Sequence, residues 1–410
     1  MTSRRGWSRL SVLLALAFAA TACGATPEPK AVDTADWPAV LKQARGQSVD
    51  FYTYGGDATL NGFLNGYVAD RLAELDIELN QVKVSDTAQV IDTVLGEKQA
   101  GRRSNGSVDL VWINGENFAT GKQADLWSCG WPEQLPNARF VDLTDPAIAQ
   151  DFGVDTDGCE SAWQQANSAL VYDSSRLEPA DVTSVDSLFG WAAQHPGRFT
   201  YPAPPDFTGS MAVRTILYDT VEDPGALQGD FDQATYEEAT GSLWKRLQQV
   251  EPSLWRGGDT YPQSQAEVER MYADGEIDAF FTYGPGAVGD QVRKGVFPDT
   301  TREAVLSSGN IANTSFVAIP ANAKDAAAAQ VLANLLQDPQ TQLALFKLEG
   351  IYPAIDLDKV SAAMRERFAD VPISKAVLSL DELSANAQPE LSAGYLTQLE
   401  KDWKARVLTR

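Results

Sequence analysis

Short apolar runs that are rich in β-branched and aromatic residues alternate with amphipathic segments along most of the chain. From residue 37 onward, the first part of this pattern predicts, in chain order, a strand at 48–54, a helix at 58–75, a strand at 77–84, a helix around 90–95 and a strand at 108–113. Strands that alternate with helices are typical of a sheet covered by helices on both faces. The sequence therefore predicts an α/β fold.

Each of these three strands runs into a short polar turn that opens a helix. The turns contain Gly56 and Asp57, then Ser85 and Asp86, and finally Asn114 and Glu116, which follow Trp112 of the third strand. In open α/β sheets, ligands bind beyond the carboxyl ends of the strands, where helix N-termini present unpaired N–H groups. Such turns also use these residue types for backbone reasons alone, but their recurrence at three strand ends favours a ligand-binding edge.

The middle of the chain repeats the alternation, which indicates a second lobe. Its predicted elements are, in chain order, a strand at 168–172, a helix at 185–194, a strand at 198–201, a helix from about 211, a helix at 266–272 and a strand at 277–281. A turn at 282–287 follows the last strand and carries Tyr283, whereas Trp255 stands before two glycines and is expected to be exposed. A further strand at 314–319 and helices at 325–336 and 339–348 complete the pattern.

The loop at 202–210 is the most unusual stretch of the chain. Its prolines stiffen it, Gly209 permits a close backbone approach, and Thr208 or Ser210 can cap the helix that starts near Met211. Asp206, Thr208 and Ser210 are therefore candidates for a preformed binding wall. A rigid connection between lobes, without any ligand contact, would use the same residues.

The first 36 residues carry a different pattern. Arg4, Arg5 and Arg9 precede an apolar run at 10–22, which is too short to span a bilayer and has the length of a signal-peptide core. Small residues lead into Cys23, which predicts cleavage and lipid attachment there, although cleavage nearby with an incidental cysteine fits as well. We expect residues 1–22 to be a signal peptide, exported by the general or the twin-arginine route, and residues 23–36 to be a flexible tether.

The charge balance narrows the range of partners. The formal net charge is −23, and loss of the three signal-peptide arginines leaves 30 bases against 56 acids, a net charge of −26. Nucleic acid is therefore excluded as a partner class, and anionic lipid headgroups would be repelled. Attachment to a membrane would have to come from the lipid alone.

The sequence lacks the residues that most kinds of catalysis and metal binding require. His195 is the single histidine of the sequence and stands in a turn-like stretch, so neither a Ser-His-Asp triad nor a histidine-rich zinc site is predicted, and no cofactor motif occurs. Carboxylate pairs could still perform acid–base chemistry, as in carbohydrate-active enzymes. Cys129 and Cys159 form an even pair that predicts a disulfide in an oxidising compartment, with two separate buried thiols as the alternative.

Several segments resemble the extracytoplasmic solute-binding proteins of ABC importers. The resemblance covers nearly the whole mature chain and is carried by the lipobox-like Cys23, by residues 170–173, by residues 316–320, by the helical stretch 326–342 and, at finer grain, by residues 82–87, 108–118 and 198–210, which are similar to the YnjB-like branch. That branch is related to thiamine, polyamine and iron carriers.

The resemblance implies a type II periplasmic-binding-protein fold, in which two lobes joined by two crossing segments enclose a ligand cleft. We expect lobe 1 at 37–172 plus 313–410, lobe 2 at 173–312, and crossings near 170–176 and 313–321. It also implies a non-catalytic, monomeric protein that is lipid-anchored outside the cytoplasm. Closure of the cleft would capture a small solute for delivery to an ABC permease.

The candidate ligand contacts are the polar and aromatic residues at the strand ends and in the loops of both lobes. They are Gly56, Asp57, Ser85, Asp86, Trp112, Asn114, Glu116, Asp206, Thr208, Ser210, Trp255 and Tyr283. Their carboxylates and aromatic rings suit a cationic solute such as thiamine or a polyamine, whereas helix N-termini alone could hold an anion. A secreted carbohydrate-active enzyme and a non-catalytic scaffold lipoprotein remain the alternatives from other classes.

Overall fold

The computed structural model describes residues 34–349, 351–379, 382–383 and 385–408. The predicted signal peptide at 1–22 and the predicted lipidation site Cys23 lie outside these residues. Within the described residues, no helix combines the length and the apolar character needed to cross a membrane.

A mixed sheet of seven strands is built from two separate parts of the described chain, residues 48–167 and residues 310–388. Its strands are β1 (Ser48–Tyr54), β2 (Glu78–Val84), β3 (Leu110–Ile113), β6 (Glu160–Asn167), β10 (Asn310–Ala318), β11 (Tyr352–Pro353) and β12 (Ala387–Gln388). The order is β11-β6-β10-β3-β1-β2, and β12 pairs with one end of β10. β1 runs parallel to β2 and β3, whereas β10 is antiparallel to β3 and β6.

The two faces of this sheet bury separate apolar clusters because successive strand residues point to opposite faces. Leu110 and Val317 belong to one cluster, which contains the helices Trp37–Ala44, Ala58–Phe63, Ala69–Ala73 and Ala326–Leu336. Val111 and Phe316 belong to the other, which contains the helices Ala88–Gln99, Glu116–Gln123 and Ala362–Ala369. The predicted arrangement of a sheet covered by helices on both faces is confirmed.

The helices lie in the following places. They are α1 (Trp37–Ala44), α2 (Ala58–Phe63), α3 (Ala69–Ala73), α4 (Ala88–Gln99), α5 (Glu116–Gln123), α6 (Pro146–Ala149), α7 (Val185–Gln194), α8 (Phe207–Tyr218), α9 (Gln233–Val250), α10 (Gln265–Ala273), α11 (Pro285–Arg293), α12 (Ala326–Leu336), α13 (Pro339–Glu349), α14 (Ala362–Ala369) and α15 (Ala393–Trp403). A π-helical turn, Leu64–Val68, makes α2 and α3 continuous, and a second one, Lys404–Leu408, follows α15.

A second sheet has three strands, in the order β8 (Ala279–Thr282), β7 (Ala169–Asp173), β9 (Thr301–Ala304). Leu170 of β7 faces the cluster formed by α7, α8 and α9, whereas Val171 faces α10 and α11. The predicted strand at 198–201 does not form, and Phe199 makes only one bridge to Ala279. Pro202 follows directly and lacks the N–H that a continuing ladder needs.

The chain passes between the two sheets at three places. The first passage is at Ser168, which connects β6 to β7. Its N–H donates to the Ile311 carbonyl (2.8 Å), and its hydroxyl oxygen accepts from the Ile311 N–H (2.8 Å). β9 gives way to β10 across residues 305–309. At both places the chain changes sheet a few residues before the predicted crossings at 170–176 and 313–321. The reason is that β7 and β10 already occupy the first part of each predicted crossing.

The C-terminal segment, residues 385–408, makes the third passage between the two sheets. β12 pairs with β10 of the main sheet, and α15 then packs into the apolar cluster of α7, α8 and α9. Trp403 of α15 is fully buried against Tyr201 and Tyr261. α15 therefore contacts the segment expected to form lobe 2, although its own residues fall within the range expected for lobe 1. The lobe boundaries stay a prediction.

Two local predictions have clear outcomes. Cys129 and Cys159 are joined by a disulfide, as predicted from the even cysteine pair. The prediction that Thr208 or Ser210 caps a helix near Met211 is wrong, because α8 begins at Phe207 and Asp206 caps it. The Asp206 carboxylate accepts from the backbone N–H groups of Thr208 (3.1 Å) and Gly209 (2.9 Å).

A short hairpin of β4 (Gln150–Asp151) and β5 (Val154–Asp155) stands apart from both sheets. Short 3₁₀ turns lie at Pro132–Gln134, Pro136–Phe140, Pro179–Val182, Pro224–Leu227, Glu251–Ser253 and Trp255–Gly258.

Candidate functional site

Arg214 lies on α8 and is fully buried, which places a positive charge in the interior between the two sheets. Its Nε lies 2.9 Å from Oε2 of Glu390, and its Nη2 donates to Oε1 of the same carboxylate at 3.3 Å. Nη2 also donates to the Tyr283 hydroxyl (2.9 Å), and Nη1 donates to the Ser210 hydroxyl (2.8 Å). Burial alone would lower the pKa of Arg214, but Glu390, Tyr283 and Glu400 together outweigh burial and raise that pKa.

Glu390, from the C-terminal segment, connects this arginine to both sheets. The Tyr283 hydroxyl at the end of β8 donates to its Oε1, and Asn313 of β10 donates to the same oxygen at 3.1 Å. Asn114, at the end of β3, donates in turn to Asn313 Oδ1 at 3.1 Å. We refer to Asn114, Ser210, Arg214, Tyr283, Asn313, Glu390 and Glu400 as the central network.

Glu400 of α15 is the second carboxylate that the C-terminal segment brings to the central network. The Ser210 hydroxyl donates to its Oε1 at 2.6 Å. Burial raises the pKa of Glu400 to about 7, the Ser210 hydrogen bond opposes this shift, and the negative charge of Glu116 adds to it. Glu400 therefore changes protonation state near neutral pH.

Glu116 faces the central network from the first turn of α5. Burial raises the pKa of Glu116, and the attraction of Arg214 lowers it in part. The negative charges of Asp86 and Glu390 also raise it, so the surroundings of Glu116 contain more negative charge than Arg214 compensates.

Asp151 lies behind Glu116 and fixes the turn that opens α5. Its Oδ2 accepts from the Gly115 N–H at 2.7 Å. Gly115 has φ 65°, a conformation that suits glycine and lets the turn close tightly beside the Phe152 ring. Burial raises the pKa of Asp151 well above its ordinary value, and the charges of Glu116 and Glu390 raise it further.

Aromatic rings cover the polar groups on one side. Phe207 stacks on Tyr283 with ring centroids 5.0 Å apart, and Phe152 lies 6.5 Å from Phe207. The Arg214 guanidinium lies 5.8 Å from the Phe152 ring and 6.0 Å from the Phe207 ring. Phe207 is 41% exposed although it is apolar, so part of this aromatic wall faces solvent.

A second acidic group surrounds Tyr54 at the end of β1. Burial raises the pKa of Tyr54, and the negative charges of Asp206, Glu269 and Asp57 raise it further. Asp57 caps α2 through the N–H groups of Thr59 and Leu60, both at 2.9 Å. We call Tyr54, Asp57, Asp206 and Glu269 the Tyr54 rim; it combines the end of β1 with the N-caps of α2 and α8 and with α10.

The structure places the twelve predicted contact residues in three groups. Asn114, Ser210 and Tyr283 belong to the central network, Glu116 faces it, and buried Thr208 lies six residues before Arg214 on α8. Asp57 and Asp206 belong to the Tyr54 rim together with Gly56, where a Cβ would lie 2.1 Å from the Tyr54 hydroxyl oxygen. Their role in ligand binding stays a prediction.

The four others lie elsewhere or point outward. Ser85 and Asp86 are exposed, and Asp86 accepts from the Ala88 N–H at 2.9 Å. Trp112 packs edge-on against Trp163, with centroids 5.3 Å apart. Trp255 is half-buried rather than exposed, and the Arg256 guanidinium lies 4.1 Å from its ring.

Sequence reasoning missed the residues around which the site is organised. These are Arg214, Asn313, Glu390 and Glu400, together with Tyr54, Asp151, Phe152, Phe207 and Glu269. One signal was available, because Arg214 stands alone in the apolar run at 211–217, and a charge is rarely buried without a partner. Nothing in the sequence near Glu390 identifies it as that partner. Among the described residues, no group of three or more His, Cys, Asp or Glu side chains could hold a metal ion.

The chain matches known proteins over most of its length. A family model described as bacterial extracellular solute-binding protein matches residues 67–357. The protein YnjB of Escherichia coli strain K12 is 34% identical over 378 residues, which cover 92% of this chain and 95% of YnjB.

Solved structures show the same fold at low identity. The spermidine/putrescine ABC transporter substrate-binding protein PotD of Streptococcus pneumoniae matches with a TM-score of 0.59 and 12% identity, over 88% of this chain and 99% of PotD. The periplasmic binding protein AfuA of Actinobacillus pleuropneumoniae, solved with fructose-6-phosphate, matches with a TM-score of 0.61 and 12% identity, over 89% of this chain and 99% of AfuA.

These matches agree with the architecture of two sheets, which is that of the type II periplasmic-binding-protein fold. Proteins of this family bind a small solute outside the cytoplasm and deliver it to the permease of an ABC transporter, and they do not catalyse a reaction. The extent of the family match and the 34% identity to YnjB show that this chain belongs to the bacterial extracellular solute-binding proteins.

Proposed function

We propose that this solute-binding protein captures a small cationic solute, such as a polyamine or thiamine, by closing its cleft around it. The observation that carries the proposal is the unbalanced negative charge at the site. Arg214 is already paired with Glu390, yet Glu116 and Glu400 lie within its electrostatic reach, and Asp57, Asp206 and Glu269 add three further carboxylates at the Tyr54 rim.

Burial raises the pKa of Glu116, of Glu400 and of Asp206, so each of these carboxylates is held at a cost in its charged form. A cation that enters between them would supply the missing counter-charge and form charge-assisted hydrogen bonds. Differential binding of this kind favours the closed form of a two-lobed protein.

The aromatic wall supports the same class of solute. Phe207 and Phe152 offer ring faces beside the carboxylates, and ring faces attract cations and pack against apolar carbon chains. Polyamines and thiamine combine positive charge with carbon surface, which suits a site of this composition. PotD, which has the same fold, is by its name a spermidine/putrescine carrier.

AfuA was solved with a sugar phosphate, so the fold also accepts anions. A thermal-shift and calorimetry screen of the mature chain separates the two classes. We expect putrescine, spermidine or thiamine to raise the melting temperature in a saturable manner, whereas inorganic phosphate and citrate leave it unchanged. If only the anions stabilise the protein, the proposal of a cationic solute is wrong.

We further propose that Cys23 carries the lipid anchor and that the mature chain is a monomer. The signal-like segment before Cys23 and the strongly acidic composition support these two points. We expect Cys23→Ala to move the protein from the membrane fraction to the soluble extracytoplasmic fraction. Intact mass measurement of the anchored form would detect the acyl chains, and light scattering of the mature chain would report its oligomeric state.

A further inference from the structure

We propose that Glu390 determines the charge selectivity of the cleft. Its carboxylate pairs with Arg214 inside the protein, so that this arginine is not available to the anionic groups of a solute. This inference rests on the proposed function only in the choice of solute class. It makes Glu390 a specificity-determining residue that the C-terminal segment brings into the site.

The first step is that the guanidinium of Arg214 already has partners within the protein. Arg214 has no exposed surface, and its three nitrogens already contact Glu390, Tyr283 and Ser210 at 2.8 to 3.3 Å. Nη2 donates to Oε1 of Glu390, and Nε lies 2.9 Å from Oε2 as an ion pair without hydrogen-bond alignment, so Glu390 already supplies the counter-charge of Arg214. A carboxylate or phosphate of a solute would therefore have to displace Glu390.

The second step is the anchoring of Glu390 on both sides. Before it, β12 pairs with β10, and the Tyr218 hydroxyl donates to the Pro389 carbonyl at 2.8 Å. After it, the Ser392 hydroxyl donates to the Gly229 carbonyl at 2.7 Å. Because the backbone is held at these points, the carboxylate stays at Arg214 without having to order a mobile segment, and it competes effectively with any solute anion.

The third step is the charge that remains. Glu116 and Glu400 both lie within the electrostatic reach of Arg214. While Glu390 neutralises the arginine, these two acids dominate the cleft and favour a cation. Without the charge of Glu390, the uncompensated guanidinium would become available to an anion.

The selectivity test compares the wild type with Glu390→Gln, which keeps the shape of the side chain and removes its charge. The probes are putrescine as a cation, and acetate and inorganic phosphate as anions, each measured by calorimetry at pH 8. We expect Glu390→Gln to bind acetate or phosphate at least roughly tenfold more tightly than the wild type does, because one charge-assisted hydrogen bond corresponds to such a factor.

A rescue experiment covers the possibility that removal of the charge weakens folding. Glu390→Ala removes the carboxylate and leaves room for a small anion beside Arg214. We expect acetate, compared with chloride at the same ionic strength, to raise the melting temperature of Glu390→Ala in a saturable manner and to leave the wild type unchanged. The double variant Arg214→Gln/Glu390→Gln lacks the receiving cation and should gain no anion binding.

Glu366→Gln, which removes one exposed carboxylate from α14, is the matched control for the loss of a single negative charge. An equal gain of anion binding in this control would attribute the effect to net charge and overturn the inference. The inference also fails if wild-type protein binds acetate or phosphate in a manner that Arg214→Gln abolishes, or if folded Glu390→Gln gains no anion binding.

Failure of the proposed function gives a different result. If the wild type binds neither putrescine nor thiamine while Glu390→Gln gains an anion, the cationic solute is wrong and the role of Glu390 stands.

Discussion

The central network and the Tyr54 rim both bring carboxylates from distant parts of the chain together, but they compensate the charge differently. Glu390 of the central network has Arg214, Tyr283 and Asn313 as partners. Asp206 of the rim has only backbone N–H groups, and burial raises its pKa. A buried carboxylate that is paired with a counter-ion contributes to structure, whereas one without a counter-charge remains available to a ligand.

Removal of the Glu390 carboxylate should have the largest effect on stability. Glu390→Ala leaves a fully buried guanidinium without its counter-ion, and we expect the free energy of unfolding to fall by about 3–5 kcal/mol. Urea unfolding followed by tryptophan fluorescence at pH 7, without carboxylate buffers, measures this loss.

The control replaces both partners by apolar residues of similar size. Arg214→Met/Glu390→Leu leaves no uncompensated charge, and its free energy of unfolding should lie within about 2 kcal/mol of the wild-type value. Equal losses in the single and double variants would show that packing, rather than charge compensation, explains the effect.

Glu400 should make stability depend on pH in the opposite sense to a paired carboxylate. Its folded pKa of about 7 exceeds the ordinary value of 4.5, mainly because of burial, so its favourable contribution is complete below pH 4.5 and is lost as the pH rises through 7. From pH 5 to pH 8, Glu400→Gln should therefore gain up to about 3 kcal/mol of stability relative to the wild type.

Urea unfolding at both pH values measures this difference, with Glu366→Gln as the exposed control. If the stability difference between Glu400→Gln and the wild type stays constant with pH, Glu400 does not titrate between pH 5 and pH 8.

The same titration should appear in ligand affinity. Because Glu400 is largely protonated at pH 6 and largely ionised at pH 8, we expect the wild type to bind a cationic solute roughly tenfold more tightly at pH 8. Calorimetry with putrescine at both pH values tests this expectation. Glu400→Gln should lose the dependence, and an unchanged dependence in this variant would remove Glu400 from the site.

The smallest effects are expected at the Tyr54 rim, where helix capping and charge can be separated. Asp206→Ala loses the cap of α8 and Asp57→Ala loses the cap of α2, so each should cost about 1 kcal/mol of unfolding free energy.

Asp206→Asn retains a capping side chain and should change stability by only a few tenths of a kcal/mol, while it lowers the affinity for a cation. If Asp206→Asn binds the solute as tightly as the wild type does, the Pro-rich loop does not contribute its charge to the site.

Local patterns predicted most of the framework because they depend on near neighbours. β1 and α7 have the predicted bounds, and the polar turns at the ends of β1, β2 and β3 open helices as expected. The α8 cap was missed because Asp, Thr and Ser all cap helices, and only the path of the loop decides which of them stands at the N-cap. That path brings Gly209 so close to Pro202 that a Cβ would lie 2.1 Å from the Pro202 carbonyl oxygen.

The hydrophobic pattern, the even cysteine pair and the family motifs by themselves determined the α/β class, the disulfide and the solute-binding family. The partner of Arg214 was decided only by tertiary structure, because Glu390 lies 176 residues further along the chain and reaches α8 through the passage of β12 and α15 between the sheets. The periodicity of apolar residues predicts which side chains are buried, because burial follows the local spacing along a helix or strand. It does not predict which buried charges form ion pairs, because ion pairing depends on distances that exist only in the folded chain.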